Sequence, residues 1–455
     1  MNVVEPSSTS HSGVSLGGTL LRSAIVAALG GLLFGFDTVV ISGTTRSLTE
    51  VFQLSPASLG ITVASALWGT ILGAMFAGLP ADRLGRRSSL LIMAILYFVS
   101  ALGCAFAWDW YSLLFFRIIG GLGIGASSVV GPMYIAEIAP ARLRGRLVAL
   151  FQFNIVVGIL LAYFSNFVVG QSGLGGDEWR WKLGISGVPA VLFGIMVFTI
   201  PESPRWLVKR RRVNDARTVL KAVGGQDFEQ ELSQIVESID AEHGKADEPL
   251  FTRKYRFPIL LAISLGLFNQ FSGINAILYY LNDIFERAGF TKVSGDLQAV
   301  AIGATNLLFT IVAMSVIDRL GRKKLLLIGA AGTALCLAGV AAVFLSGQYQ
   351  HLLVWFLVAF IGFFAFSQGA VIWVYLSEVF PTRVRAKGQS LGSFTHWAMN
   401  AIISGVFPLM AAASGGMPFV FFSVMCGVQF FVVLFFYPET KGITLEQMQK
   451  KIGLS

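Results

Sequence analysis

Charge is scarce in this chain. Only 13% of its 455 residues are Asp, Glu, Lys or Arg, against 55% hydrophobic side chains, and the mean hydropathy is +0.71. Soluble domains carry about a quarter charged residues, so a soluble globular fold is excluded. Cysteine is scarcer still, with three residues. Cys104, Cys336 and Cys426 fall inside apolar runs with no metal-ligand spacing, and they read as core packing. No Gly-x-x-x-x-Gly-Lys-[Ser/Thr] loop is present to couple ATP to pumping, and no His, Cys and carboxylate cluster suggests catalysis. The chain is therefore expected to be no enzyme and to use neither cofactor nor metal. Gly121-Leu-Gly123-Ile-Gly125 superficially matches a dinucleotide loop, but it lies within an apolar run, where close helix packing explains it better. Residues Met1 to Gly18 lack the basic region of a cleavable signal peptide, so the first span is expected to stay.

What the sequence does contain is twelve long apolar runs, six on either side of one polar segment. The fold expected is an all-α membrane protein: an N-tail over 1–20, a six-helix bundle over 21–200, a linker over 201–256, a second bundle over 257–437 and a C-tail over 438–455. The halves repeat each other. Asp82-Arg-Leu-Gly-Arg-Arg87 recurs as Asp318-Arg-Leu-Gly-Arg-Lys323, Glu137-Ile-Ala-Pro-Ala-Arg-Leu-Arg144 as Glu378-Val-Phe-Pro-Thr-Arg-Val-Arg385, and Pro201-Glu-Ser as Pro438-Glu-Thr. Each landmark follows the second, fourth or sixth helix of its half at nearly constant offset, which indicates duplication. An even number of helices per unit makes the copies parallel repeats, with the pathway between them.

Most of the 34 Lys and Arg lie in the N-tail, the even-to-odd loops and the C-tail, which places both termini in the cytoplasm. The formal net charge of +9 thus sets orientation, with no nucleic acid as partner. In the linker, Leu232, Ile235, Val236 and Ile239 follow helical spacing, predicting a helix over Phe228–His243 that lies against the bundle ends. The run Lys209 to Arg212 either contacts anionic lipid heads or is a solvated cluster.

The informative interruption is Leu267–Tyr280, which sets Asn269, Gln270, Asn275 and Tyr279 near the middle of a span. Amides there must meet water, a partner helix or a ligand. Gly273 permits a break that brings Gln270 and Tyr279 together despite their nine-residue separation. Broken helices with polar groups at mid-depth suit a transporter site; interhelical hydrogen bonds are the competing account.

Taken together, the doubled Asp-Arg-Leu-Gly-Arg motif, Pro201-Glu-Ser-Pro-Arg-Trp-Leu207, Gln270…Gly273-Ile-Asn275 and Pro438-Glu-Thr-Lys-Gly442 resemble the sugar porter family of the major facilitator superfamily, over nearly the whole chain. Gly30-Gly-Leu-Leu-Phe-Gly-Phe-Asp37 is similar to the bacterial proton-coupled members; animal facilitators typically carry a neutral residue in place of Asp37. The resemblance implies two pseudo-symmetric six-helix bundles joined by a helical cytoplasmic linker. It implies that Gln152, Gln270, Asn275, Asn306 and Trp373 bind the sugar, with Phe34, Tyr279, Trp397 and Asn400 completing or gating the cavity. Uncharged amides suit hydroxyls because each both donates and accepts.

Three positions depart from the family pattern. Asn269 stands where many members have a glutamine, His396 where Gln or Asn is common, and Ala370 where a proline often follows the glycine. His396 is expected to act as a neutral hydrogen-bonding ligand rather than a second proton carrier.

An acid at the bilayer centre costs about 2.5–3.5 kcal/mol on the insertion scale, so Asp37 requires a partner or a proton. Movement relative to Arg117 in the fourth span would load and release that proton; the alternative is a static salt bridge. Arg86, Glu137 and Arg144 in one half, with Arg322, Glu378 and Arg385 in the other, are expected to pair across helix ends and to part as the protein opens inward.

The leading expectation is a secondary transporter of the cell (inner) membrane, functional as a monomer among membrane lipid, that imports a hexose or pentose with a proton by alternating access. The alternatives are a proton-independent facilitator and, from another class, a membrane sugar sensor, which would be expected to carry a long cytoplasmic tail.

Overall fold

Twelve helices long and apolar enough to cross a membrane account for most of the computed structural model, which describes residues 18–140, 142–223, 228–242, 248–381, 383–443 and 447–448. Residues 1–17 of the expected N-tail, His243, Ala141 and Thr382 in the repeated motifs, and most of the C-tail after 443 lie outside them, as does the side chain of Asp318. The spans are Gly18–Gly43, Pro56–Phe76, Arg86–Ala105, Trp110–Ile138, Arg144–Gly170 and Gly175–Val197 in the first half. In the second they are Arg253–Tyr279, Lys292–Ile317, Arg322–Ser346, Gln350–Glu378, Arg385–Ala413 and Met417–Phe436. Large apolar side chains such as Leu192, Leu335 and Phe435 are exposed on the outside of the bundles, as a hydrocarbon solvent demands.

Within the first half the helices approach closely through glycine. A Cβ on Gly121 would lie 1.9 Å from the Ala66 carbonyl oxygen of the second span, so the glycine-rich stretch of the fourth span is a packing surface, as its apolar setting predicted.

The repeated motifs have a physical basis at the helix ends. Gly85 and Gly321 take φ of +96° and +89°, a region open to glycine, and each starts the helix that follows it. The orphan amides there are met by a carboxylate from the end of the same half. Glu202 accepts from the Arg86 N–H at 2.8 Å, and Glu439 accepts from that of Arg322 at 2.9 Å. Tyr134 and Tyr375 donate to the carbonyls of Pro201 and Pro438 at 2.8 and 3.0 Å, which fixes both loops in the same way.

Arg86 ion-pairs with Glu137 at 2.9 Å and Arg322 with Glu378 at 2.8 Å. Arg144 is exposed and does not reach Glu137, and Arg385 donates to the Phe380 carbonyl. Both ion pairs join helices of one half. They fasten each bundle internally, so nothing in their geometry requires them to part when the halves move. Arg86→Ala would leave Glu137, 11% exposed, without its cation, and breaking such a pair costs about 3–5 kcal/mol. The expected result is a drop of roughly 5–10 °C in the melting temperature of the solubilised protein.

The linker forms helices Pro204–Lys209, Val213–Val223 and Phe228–Glu242. Leu232 and Ile239 are buried as their spacing predicted, but against Leu207, Val208, Ala216 and Leu220 of the neighbouring linker helices. The third helix thus completes a small core of the linker's own. Apolar contact with the bundle passes through Val219 and Val223 instead, and Trp206 Nε1 donates to the Asp82 carbonyl at 2.9 Å.

Among the described residues, hydrogen bonds and ion pairs between the halves gather at the end opposite the linker, the far end. Ser42 donates to Asn282 at 3.1 Å, Thr45 to Asp283 at 2.9 Å and Tyr163 to the Leu278 carbonyl at 2.7 Å. Arg46 pairs with Glu286 and Lys292 with Glu178. There too a Cβ on Gly60 would fall 1.9 Å from the Gly405 carbonyl oxygen. The far end is sealed.

A mid-membrane amide cluster as the candidate substrate site

The seventh span breaks where the sequence predicted. Its first segment, Arg256–Phe271, stops at Ser272; Gly273, at φ +79°, opens a short helix, Ile274–Tyr279. The break folds Asn275 back so that its Nδ2 donates to Gln270 Oε1 at 3.0 Å. Gln270 Nε2 in turn donates to Asn269 Oδ1 at 3.1 Å and lies 3.1 and 3.3 Å from the two ring nitrogens of His396 on the eleventh span. A neutral imidazole accepts there through its bare nitrogen. The smaller Asn269, in place of glutamine, keeps its oxygen close to its neighbour.

Aromatic rings wall this cluster. The Trp373 centroid lies 5.3 Å from His396, Trp397 lies 5.1 Å from His396, and Phe34 of the first span lies 5.5 Å from Trp397. Trp373 is 37% exposed while Trp397 is buried, so one ring presents a face and the other a wall.

Tyr279 does not join Gln270, although the break at Gly273 lies between them. Its hydroxyl accepts from Asn400 Nδ2 at 3.1 Å, one turn beyond His396, and Ser404 donates to Asn400 Oδ1 at 3.1 Å. Both partners are fully buried and form a second node nearer the far end. Gln152, half-buried on the fifth span, and Asn306, 8% exposed on the eighth, make no hydrogen bond to protein among the described residues. Their amides remain available to a ligand or water.

Asp37 sits apart from the amides. A Cβ on Gly120 of the fourth span would lie 3.2 Å from its Oδ2. Arg117 is close enough to interact electrostatically with it, but it donates from Nε to the Thr62 carbonyl at 3.0 Å, and no ion pair within 4 Å joins the two. A static salt bridge is therefore absent from this structure.

Among the described residues no group of His, Cys, Asp and Glu is arranged to hold a metal. A separate cleft of about 570 Å³, lined by Arg87, Glu202, Trp206, Arg212 and Asp215, lies between the third span and the linker. Its charges are already engaged, Arg212 with Asp215 at 2.6 Å and Glu202 with backbone amides, and it is distant from the amide cluster.

Residues 23–452 match the family model described as "Sugar (and other) transporter". The chain belongs to this family of sugar transporters. It is a transporter, not an enzyme, and an integral membrane protein with the major facilitator fold. The D-xylose-proton symporter of Escherichia coli strain K12 is 36% identical, over 93% of this chain and 94% of the relative. The glucose transport protein of Synechocystis sp. is 37% identical, over 97% and 99%. Among solved structures, the inward-open conformation of the xylose transporter XylE from E. coli superposes with a TM-score of 0.85 at 36% identity, covering 95% of this chain and 99% of that one.

Sequence reasoning missed the polar seal at the far end. Its signal was present in Asp283 and Asp296, carboxyl groups at the edges of apolar runs with no assigned role.

Proposed function

We propose that this transporter imports a monosaccharide together with a proton, by alternating access between its two halves, in the cell membrane with both termini in the cytoplasm. The observation that carries the coupling is Asp37, an intramembrane carboxyl group beside Gly120 with no ion pair within 4 Å among the described residues. An acid held at that depth near a cation but not ion-paired with it suits a group that gains and loses a proton during the cycle. The amide cluster supports the sugar reading. Asn269, Gln270, Asn275 and His396 hold one another in a preformed arrangement, Gln152 and Asn306 offer untied amides, and Trp373 offers a ring face for the C–H surface of a sugar. His396 serves as the neutral acceptor for Gln270, and Tyr279 with Asn400 closes the pocket toward the far end. The positive-inside distribution of Lys and Arg makes the far end the outer one, so the sealed state is inward-facing, in line with the inward-open relative.

The test is uptake of radiolabelled sugar by reconstituted protein, with pentose and hexose competitors and with or without a pH gradient. Accumulation that needs the gradient and is competed by one sugar class is the expected result. Equilibration at the same rate with and without a gradient would instead assign a passive facilitator.

A further inference from the structure

The far-end seal contains a carboxyl group that the proposed transport cycle does not use. Asp283 lies on the short helix Leu281–Arg287, beyond the end of the seventh span. Its Oδ1 accepts from Thr45 Oγ1 of the opposite half at 2.9 Å. Its Oδ2 is out of contact with solvent and has no hydrogen-bond partner among the described residues. An ionised carboxylate spreads its charge over both oxygens and is poorly tolerated with one of them dry and unbonded; the neutral acid suits such a position.

The Arg287 charge favours the ionised form of Asp283, but less strongly than burial disfavours it. On its own helix Arg287 donates to the Ala411 carbonyl at 2.8 Å, and Glu286 is taken by Arg46 from the helix Thr45–Phe52. From the eighth span, Lys292 pairs with Glu178 and Asp296 accepts from Asn282. Lys182 of the sixth span is paired with Glu178 and donates to the Gly43 carbonyl at 3.0 Å. Tyr280 donates to the Ser404 carbonyl of the eleventh span at 3.0 Å. Each nearby cation is turned toward another acceptor.

We propose that Asp283 is a proton-dependent latch of the outer gate, protonated while the halves are sealed there and ionised once they part. The proposal rests on the alternating-access reading above. As the gate closes, a proton from the far-side water forms an O–H bond at the carboxyl group. As it opens, that bond breaks and the proton returns to the same water. This proton never crosses the membrane and is separate from the one assigned to Asp37. Burial pushes the Asp283 carboxyl up to about 7 in the sealed state. A group raised in this way favours sealing below its ordinary value, about 4, and the advantage is lost as pH rises through about 7. Acid therefore closes the outer gate and alkali loosens it.

The test is a pH series of distance measurements by pulsed electron paramagnetic resonance on the full-length reconstituted protein. Nitroxides are placed at Phe106→Cys and Gln348→Cys, exposed far-end positions in opposite halves; the native cysteines are buried. Between pH 5.5 and 8.5 the ratio of parted to sealed forms should rise roughly 30-fold, as follows for a group moving between about 7 and its ordinary value. Asp283→Asn should stay sealed throughout. Thr45→Ala keeps the carboxyl group but removes a hydrogen bond that favours its charged form, so the midpoint should move to higher pH. A ratio that does not change with pH in the unsubstituted protein, an unchanged titration in Asp283→Asn, or an unmoved midpoint in Thr45→Ala would each overturn the proposal. Because these are distances, they stand whether or not the same preparation accumulates sugar, so failure of the latch is told apart from failure of the symport reading.

Discussion

Asp37→Asn is expected to abolish accumulation of sugar against a gradient while leaving sugar-for-sugar exchange in place. A membrane potential of 100 mV supplies about 2.3 kcal/mol per charge, so a one-proton symporter can concentrate its sugar roughly 50-fold. Without a titrating group at position 37, the ratio should fall to about one. Asparagine is close in shape, and Asp37 faces the small Gly120 with no ion pair to lose, so the fold should tolerate the change. Counterflow separates the two functions, since exchange needs the sugar site and the rocking of the halves but no net proton movement. Normal accumulation by the variant would remove Asp37 from the coupling mechanism.

Gln270→Ala should cost the most affinity of any single change in the amide cluster. This side chain, itself only 1% exposed, donates to Asn269 and His396 and accepts from Asn275, so its loss disorients three neighbours at once. Each buried polar group left unpaired costs about 1–3 kcal/mol. An increase of roughly 10- to 100-fold in the KM for uptake follows, with thermal stability reduced as well. Gln270→Glu is an informative companion: it keeps the acceptor for Asn275 but loses the NH₂ group that His396 receives, and so separates loss of volume from loss of the donor. Asn306→Ala, at a residue with no protein partner among those described, should weaken sugar binding without lowering the melting temperature. Equal transport by Gln270→Ala and the parent protein would move the sugar site elsewhere.

The seventh span shows how far local chemistry can be read. The sequence places Gly273 between two amides in a long apolar run, and the structure has the break there, because a left-handed residue after Gln270 needs glycine. The doubled Asp-Arg-Leu-Gly-Arg and Pro-Glu-[Ser/Thr] motifs are likewise local devices, in which a glycine starts a helix and a carboxylate meets its first amides. Pairings across the fold are another matter. Arg86 with Glu137 was legible because a repeated motif pointed to it, whereas Arg144 reads equally well in the motif and remains apart.

The sequence by itself determined the membrane class, the twelve spans, the duplication, the helix break and the residue types available for uncharged recognition of hydroxyls. These follow from hydropathy, repeat spacing and backbone sterics, which act over a few residues. Tertiary structure alone decided that Gln270 meets His396, 126 positions away, that Tyr279 turns to Asn400, that Arg117 bonds Thr62 rather than Asp37, and that Asp283 is sealed against Thr45. Those contacts depend on how each helix is rotated about its axis and how the two halves lean together. Side chains from both halves fix that geometry jointly, and no single stretch of chain encodes it.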